Sequence, residues 1–377
     1  MPTPPLSDEL AREALQALSE HSTQAAAADA LGLNRDTFRS RLKTAQTRGL
    51  HLSDGIRGAM QNARITQGEA QGGWIVNVDP ETGSRVSTRW KMPEQDTQSL
   101  LVQIKEAFSD IPPAPYIAKP EVVKERSVAF LPHADWHLGS VVSEDHAGQA
   151  YNRQIAVERL KDGFSQCLGA IPPSDVAIIL NNGDLTHTNS DRDETDRSKH
   201  KLKVEGTHHD NIRLAIQSTI WMIDHAREKH GQVIYTARPG NHDGMTPTFL
   251  TPALEQRYRD DPRVTIETDQ RETWVWQKDR LFLSAHHGHG LKAEKFCANL
   301  PARFPRQFGV SDHWYFFSGH LHHRVENTYG GINHRQLPAL CGIDSHGDGM
   351  GFADTSGMCA LRFDTFEGLK NEYLVNL

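Results

Sequence analysis

Five short apolar runs in this 377-residue chain end alike, each followed closely by Asp, Asn or His. Val128-Ala129-Phe130-Leu131 leads into His133-Ala134-Asp135-Trp136-His137, and Val176-Ala177-Ile178-Ile179-Leu180 into Asn181-Asn182-Gly183-Asp184. Val233-Ile234-Tyr235-Thr236-Ala237 leads into Arg238-Pro239-Gly240-Asn241-His242-Asp243. Leu281-Phe282-Leu283 leads into His286-His287-Gly288-His289, and Trp314-Tyr315-Phe316-Phe317 into Gly319-His320-Leu321-His322. Apolar runs of this length, bounded by Gly and Pro, read as buried strands. Open α/β sheets present their ligands beyond the carboxyl ends of the strands. A single Asn-His-Asp triplet at a strand end reads as a turn, but five such endings predict five loops converging on one metal centre.

The donor types narrow the chemistry. Asp135-x-His137 puts a hard oxygen and an imidazole nitrogen at one ion, and Asp184 follows a glycine that lets the backbone approach closely. A carboxylate has two oxygens and can bridge two ions, while an Asn oxygen and two further imidazoles suit a second ion. Mixed nitrogen and oxygen donors without thiolate fit Mn²⁺, Fe or Zn²⁺ better than Mg²⁺ or Ca²⁺. The expected cofactor is therefore two divalent ions, Mn²⁺ first, with Fe or Zn²⁺ the alternatives. Two ions about 3.5–4 Å apart can clamp a phosphoryl group and generate hydroxide near neutral pH. Asp135 and Asp184 neutralise only part of the charge of such a pair, which leaves an excess for an anionic substrate.

Composition excludes several other classes. The net charge is −7, so no global basic field steers the chain to nucleic acid. Four cysteines without a C-x-x-C pair argue against a zinc ribbon and a secreted-type disulfide framework. No apolar run approaches the roughly 20 residues of a membrane span. The N-terminus lacks a basic-then-apolar signal pattern, so a cytoplasmic setting and no membrane partner are expected. The sequence carries no reading of oligomeric state.

Three regions are expected. In 1–68, Ser7 caps a helix with Leu10, Ala14, Leu15 and Leu18 on one face, an Ala-rich helix spans 23–31 and stops at Gly32, and Asn34 caps a third helix with Phe38 and Leu42 inward. Helix, short Gly-containing turn, helix is a helix-turn-helix plan. Arg35, Arg39, Arg41, Lys43 and Arg48 stand against one acid, Asp36, which makes Arg35, Arg39, Arg41 and Lys43 candidate DNA contacts. In 69–121, alternation over 72–91 around Asp79-Pro80-Glu81-Thr82-Gly83 predicts a β-hairpin, followed by a helix over 96–108 and an extended Pro-rich linker. In 122–377, apolar runs alternate with helical segments over 154–168 and 211–230, which predicts a layered α/β domain. The charged stretch 191–201 reads as a solvated loop or helix face, with a substrate-facing flap the lesser alternative because it follows Asp184.

Asp135-x-His137, Gly183-Asp184, Gly240-Asn241-His242-Asp243, His287-Gly288 and Gly319-His320-Leu321-His322, in that order, resemble the calcineurin-like metallophosphoesterase superfamily over about 127–345. The resemblance implies a layered β-sandwich flanked by helices. It implies that Asp135, His137 and His322 hold the first metal, that Asn241, His287 and His320 hold the second, and that Asp184 bridges. It further implies that His242, oriented by Asp243, is the acid protonating the leaving oxygen. His287 is preferred to His286 because the family ligand directly precedes a glycine. His133, His146, His187, His208, His209, His225, His289 and His346 read as ordinary core or surface residues, with His289 the candidate supporting residue.

Asp135-Trp136-His137-Leu138-Gly139 looks most like the SbcD-type repair nucleases, although about 55 residues after His322 leave little room for their C-terminal capping extension. Gly183-Asp184-Leu185-Thr186-His187 lacks the Gly-Asp-x-x-Asp-Arg-Gly of protein phosphatases, which disfavours protein substrates. The 24–38 segment looks like a Fis-type helix-turn-helix. The whole layout is similar to metallophosphoesterases of phage and prophage genomes, which implies the host cytoplasm. The expected activity is phosphodiester hydrolysis on DNA. The alternatives are a nucleotide-sized phosphatase or phosphodiesterase with a regulatory DNA-binding N-terminal part, and a non-enzymatic DNA-binding protein.

Overall fold

The computed structural model describes residues 6–21, 23–47, 72–78, 85–91, 111–120, 125–144, 150–194, 201–342 and 355–377. The chain divides into two compact units, Met1–Asp96 and Thr97–Leu377.

The first unit holds α1 (Asp8–Glu20), α2 (Gln24–Ala30) and α3 (Arg35–Thr47), then β1 (Gly72–Val78) and β2 (Arg85–Lys91). Each helix starts where a short polar side chain takes up an otherwise unpaired N–H. Ser7 accepts from the Leu10 N–H at 3.3 Å, Thr23 from Ala26 at 3.2 Å and Asn34 from Thr37 at 2.8 Å. Gly32, with φ 63°, reverses the chain after α2. Ala14, Ala17, Ala27, Ala28, Phe38 and Leu42 bury one another. Leu10, expected inward, is instead exposed: it stands in the first turn of α1, one turn before the buried Ala14 on the same face. β1 and β2 pair antiparallel from Gly72↔Lys91 to Val78↔Arg85. Residues 79–84, the helix expected over 96–108, Arg48, and the 195–200 part of the charged stretch lie outside the described residues.

The second unit is an α/β fold built on two mixed sheets flanked by helices. One sheet runs β13 (Gly368–Asn376), β12 (Gly357–Asp364), β3 (Ser127–His133), β4 (Val176–Asn181), β5 (Gln232–Ala237), β6 (Val264–Glu267). The other runs β10 (Val325–Tyr329), β11 (Ile332–Gln336), β9 (His313–Ser318), β8 (Leu281–Ala285), β7 (Trp274–Lys278). β3 to β6 are parallel, as are β8, β9 and β11, and the remaining pairings are antiparallel.

Side chains alternate across a strand. Val128, Phe130, Ile178 and Leu180 therefore face Leu281, Leu283, Tyr315 and Phe317 between the sheets, with Phe130 and Phe317 ring centroids 4.6 Å apart. Ala129, Leu131, Ala177 and Ile179 point the other way, onto α4 (Arg153–Ala170), α5 (His208–Lys229) and α6 (Thr246–Tyr258). Phe282 and Phe316 pack under α7 (Ala293–Arg303), beside the short α8 (Pro305–Gly309). The order of layers is helix, sheet, sheet, helix. All five strands read from the apolar runs are present.

The Pro-rich 111–120 segment is not a free spacer. The Pro112 and Pro113 carbonyls accept from Arg257, that of Pro115 from Arg227 and that of Ile117 from Arg263, at 2.6–3.0 Å. Prolines donate no N–H, so their carbonyls suit a row of arginines. Among the described residues, no helix is long and apolar enough to cross a membrane.

Candidate metal centre

The strand ends are level. His133 pairs with Asn181, and Asn181 with Ala237, so the loops after β3, β4 and β5 leave their sheet at the same height. Backbone hydrogen bonds then join loop to loop. Asp135 N–H donates to Gly183 O at 3.1 Å, His137 N–H to Asp184 O at 2.9 Å, and Gly319 N–H to His287 O at 2.7 Å. Asp135, His137, Asp184, His320 and His322 all adopt positive φ, between 46° and 72°. That conformation is uncommon outside glycine and persists where surrounding structure over-determines it. It turns five polar side chains toward one point, and no periodicity in the sequence announces it.

At that point the donors gather as two overlapping groups. Asp135, His137 and Asp184 have ligand atoms within 4.8 Å of one another, and so do Asp184, His287 and His320. Asp184 belongs to both. His322 Nε2 lies 3.3 Å from Asp135 Oδ1 and 3.3 Å from His137 Nε2. His287 Nε2 lies 3.2 Å from Asp184 Oδ2 and 3.1 Å from Asn241 Oδ1. All seven residues proposed as ligands are thus brought together. Asp135, Asp184 and His287 are essentially inaccessible, whereas Asn241, His320 and His322 are half-buried and give the centre an open side.

The donor set fits cations. His287 Nδ1 stands 2.8 Å from the Asn182 carbonyl, which can only accept, so Nδ1 carries the proton and Nε2 presents its lone pair. That lone pair meets two electron-rich oxygens, an arrangement only a proton or a metal ion relieves. Without a metal the groups resolve it by protonation. Burial works to raise Asp184, but the facing His287, then His137 and His242, hold it well below the usual carboxylate range. Burial works to lower His287, but Asp184 and Asp135 push it up to about 9. An imidazole whose second N–H is held by a carbonyl is the usual support of a metal ligand.

Two expectations change. Asp243 does not orient His242. Its buried carboxylate accepts the N–H groups of Gly240 (2.8 Å), Asp184 (3.1 Å), Leu185 (2.7 Å) and Thr186 (3.4 Å), and so clamps the loop after β4 to the loop after β5. Burial and the adjacent Asp184 push it up to about 6, against those N–H donors. His242 is oriented instead by the His187 carbonyl, 2.9 Å from its Nδ1. Its backbone N–H donates to Asp184 Oδ1 at 2.8 Å.

His187, read from sequence as an ordinary residue, is part of the centre. Its ring stacks on that of His242 (centroids 5.4 Å, planes 12° apart), and its Nδ1 lies 3.1 Å from His137 Nδ1. The only signal was its place three residues after Asp184. His286 turns away, with Nε2 3.3 Å from Glu272, so His287 is the member of the pair at the site. His289, 3.7 Å from Glu272 and with its ring near those of His287 and His320, stands just outside.

In the first unit, Arg35, Arg39 and Lys43 are exposed along α3. Arg41 is not available as an expected DNA contact. Its guanidinium is 3.0 Å from Glu13 on α1, and its side chain is only 15% exposed, because its position on α3 faces α1.

No family model matches the sequence, and no curated protein matches it. Solved structures with a similar path include an archaeal phosphodiesterase (14% identity, covering 66% of this chain and 99% of that one, TM-score 0.35). Vacuolar protein sorting 29 from Cryptosporidium parvum is similar at 10% identity, 67% and 98% coverage and TM-score 0.30. A 5'-nucleotidase-like protein from Staphylococcus aureus is similar at 13% identity, 66% and 54% coverage and TM-score 0.30. At such TM-scores the shared path is loose, and the chemistry of the site stands on its own geometry.

Proposed function

We propose that the protein is a phosphoesterase of the calcineurin-like type that requires two divalent cations and acts on a small phosphoester, a nucleotide or comparable molecule. The observation that carries this reading is the pair of donor groups sharing Asp184. Asp135, His137, Asp184 and His322 would hold one cation, and Asp184, Asn241, His287 and His320 the other, with Mn²⁺ the first candidate and Fe or Zn²⁺ next. Bound there, the cations supply Lewis acidity toward a phosphoryl oxygen and activate water.

The chain's own residues do the rest. Asp184 and Asp135 fix the spacing of the two groups. With its Nδ1–H held by His187 O, His242 turns Nε2 to the site, and as the doubly protonated imidazolium it would give the Nε2 proton to the leaving oxygen. The stack on His187 limits rotation of that ring. Asp243 keeps the Asp184 and Asn241–His242 loops together. A net charge of −7 provides no attraction for a long polyanion, which favours a compact substrate.

A second reading, hydrolysis of DNA delivered by a helix-turn-helix, is favoured by one observation, the exposed Arg35, Arg39 and Lys43 on α3. The test is a substrate panel with Mn²⁺ or chelator: p-nitrophenyl phosphate, its bis-ester, nucleotides, and single- and double-stranded DNA. Small esters should be hydrolysed with Mn²⁺ only, and Asp184→Asn should lose both rate and metal. DNA cleavage outpacing every small ester would move the assignment to the second reading. No hydrolysis of any member would overturn both.

A further inference from the structure

The segment after β11 runs alongside the first ligand loop. Leu340 N–H donates to Ala134 O at 3.3 Å and Cys341 N–H to Asp135 O at 2.9 Å. The Cys341 carbonyl in turn accepts from Ser356 Oγ at 2.8 Å, and Ser356 Oγ receives Arg159 Nη1 at 2.9 Å. Cys341 is therefore held from both sides, buried, on the backbone of a candidate ligand. Its sulfur lies 3.7 Å from His322 Nδ1, a sulfur hydrogen-bond distance. The opposite nitrogen, His322 Nε2, is the one that faces Asp135 and His137.

We infer that Cys341 is a positioning residue for the metal centre: its sulfur accepts the Nδ1–H of His322 and so leaves Nε2 as the nitrogen that binds the cation. This rests on the two-cation reading above. A neutral imidazole bears one proton, and whichever nitrogen carries it cannot bind a metal. His322 is partly accessible, its side chain 34% exposed, and the buried sulfur behind it holds it in one tautomer and one orientation. His287 has the Asn182 carbonyl for the same task, so each cation would have a histidine set by a partner from another loop. A sulfur on the Nδ1 side stands across the ring from a cation bound at Nε2 and so orients that ligand; His137, His322 and Cys341 are also close enough to form a donor group of their own, the outcome that the Co²⁺ spectrum tests.

The experiment titrates the full chain with Mn²⁺ calorimetrically for wild type, Cys341→Ala and Cys341→Ser, and records absorption spectra after loading with Co²⁺. Melting curves in chelator check folding. Loss of a partner behind a metal ligand typically costs about 10–100-fold in affinity. Cys341→Ala should lose that factor at one of the two sites and leave the other unchanged. Cys341→Ser, whose hydroxyl can still accept the N–H, should stay near wild type. The Co²⁺ protein should show no sulfur-to-metal charge-transfer band. Two unaltered sites in Cys341→Ala would overturn the inference and leave the two-cation reading standing. A charge-transfer band present in wild type and lost in both variants would make Cys341 a ligand and equally overturn it. Wild type that takes up neither Mn²⁺ nor Co²⁺ would remove the two-cation reading itself, and this inference with it.

Discussion

Gly240→Ala tests how the centre is held together. A Cβ on Gly240 would lie 2.0 Å from Asp184 Oδ1 and 2.3 Å from the Asp184 backbone nitrogen, whereas ordinary contact begins at 3.4 Å. A carboxylate can swing aside, but a backbone nitrogen in a stitched loop cannot, so the two loops must part by about 1 Å. Gly240 N–H and Asp184 N–H share one oxygen of Asp243, at 2.8 and 3.1 Å, and the separation breaks one of these bonds. Overpacking of this kind costs about 1–3 kcal/mol. The same movement carries Asn241 and His242 away from Asp184, and a misplacement of roughly 1 Å can cost about 10²-fold in rate. Gly244→Ala is the control four residues on, because a Cβ there meets only the Gly240 carbonyl, at 3.8 Å. Stability, bound Mn²⁺ by elemental analysis, and hydrolysis of p-nitrophenyl esters are measured for both. Gly240→Ala should lose stability, one cation and about 10²-fold in rate, and Gly244→Ala none of these. Two variants indistinguishable on all three measurements would refute the idea that close loop approach builds the site.

His242→Gln should keep both cations while the rate falls by about 10²–10⁴-fold, less for p-nitrophenolate than for an alkoxide leaving group; loss of metal would place His242 among the ligands. His230 is fully buried and accepts the Ser174 N–H at 3.1 Å, and burial, aided by Lys229, pushes its ring down to about 4. The unfolded chain therefore binds a proton that the folded one refuses, so stability falls as pH drops from about 6.5 to about 4, by about 3 kcal/mol in total. His230→Asn, followed by denaturation in chelator, should flatten that slope, and an unchanged slope would rule His230 out as its source. Arg41→Glu should destabilise the first unit by setting a carboxylate against Glu13, while Arg39→Glu, at a 69% exposed side chain, should leave its melting unchanged. On the second functional reading, Arg39→Glu also weakens DNA binding by the full chain in a gel shift, and unaltered binding would remove α3 as the contact.

The strands β3, β4, β5, β8 and β9 and their polar endings were legible in the sequence because they are local. Val176 to Leu180 is uniformly apolar since both faces of its strand are covered, and Gly183 and Pro239-Gly240 punctuate the loops beyond β4 and β5. Capping residues Ser7 and Asn34 were legible for the same reason, each acting on an N–H three residues ahead. β6, β7, β10, β11 and β13 went unread, because edge and partly exposed strands mix polar with apolar residues and take their identity from a partner strand, and the buried β12 went unread because Arg362 and Asp364 interrupt its apolar run. The tertiary structure alone decided the partners of the polar side chains. Asp243 binds N–H groups 57–59 positions away and leaves His242 to the carbonyl of His187, 55 positions away. Arg41 meets Glu13 across 28 residues, and Cys341 meets His322 across 19. A residue's type states what it can donate or accept, but which group it meets is set by how the loops close on one another in space, and that closure is a property of the packed sheets.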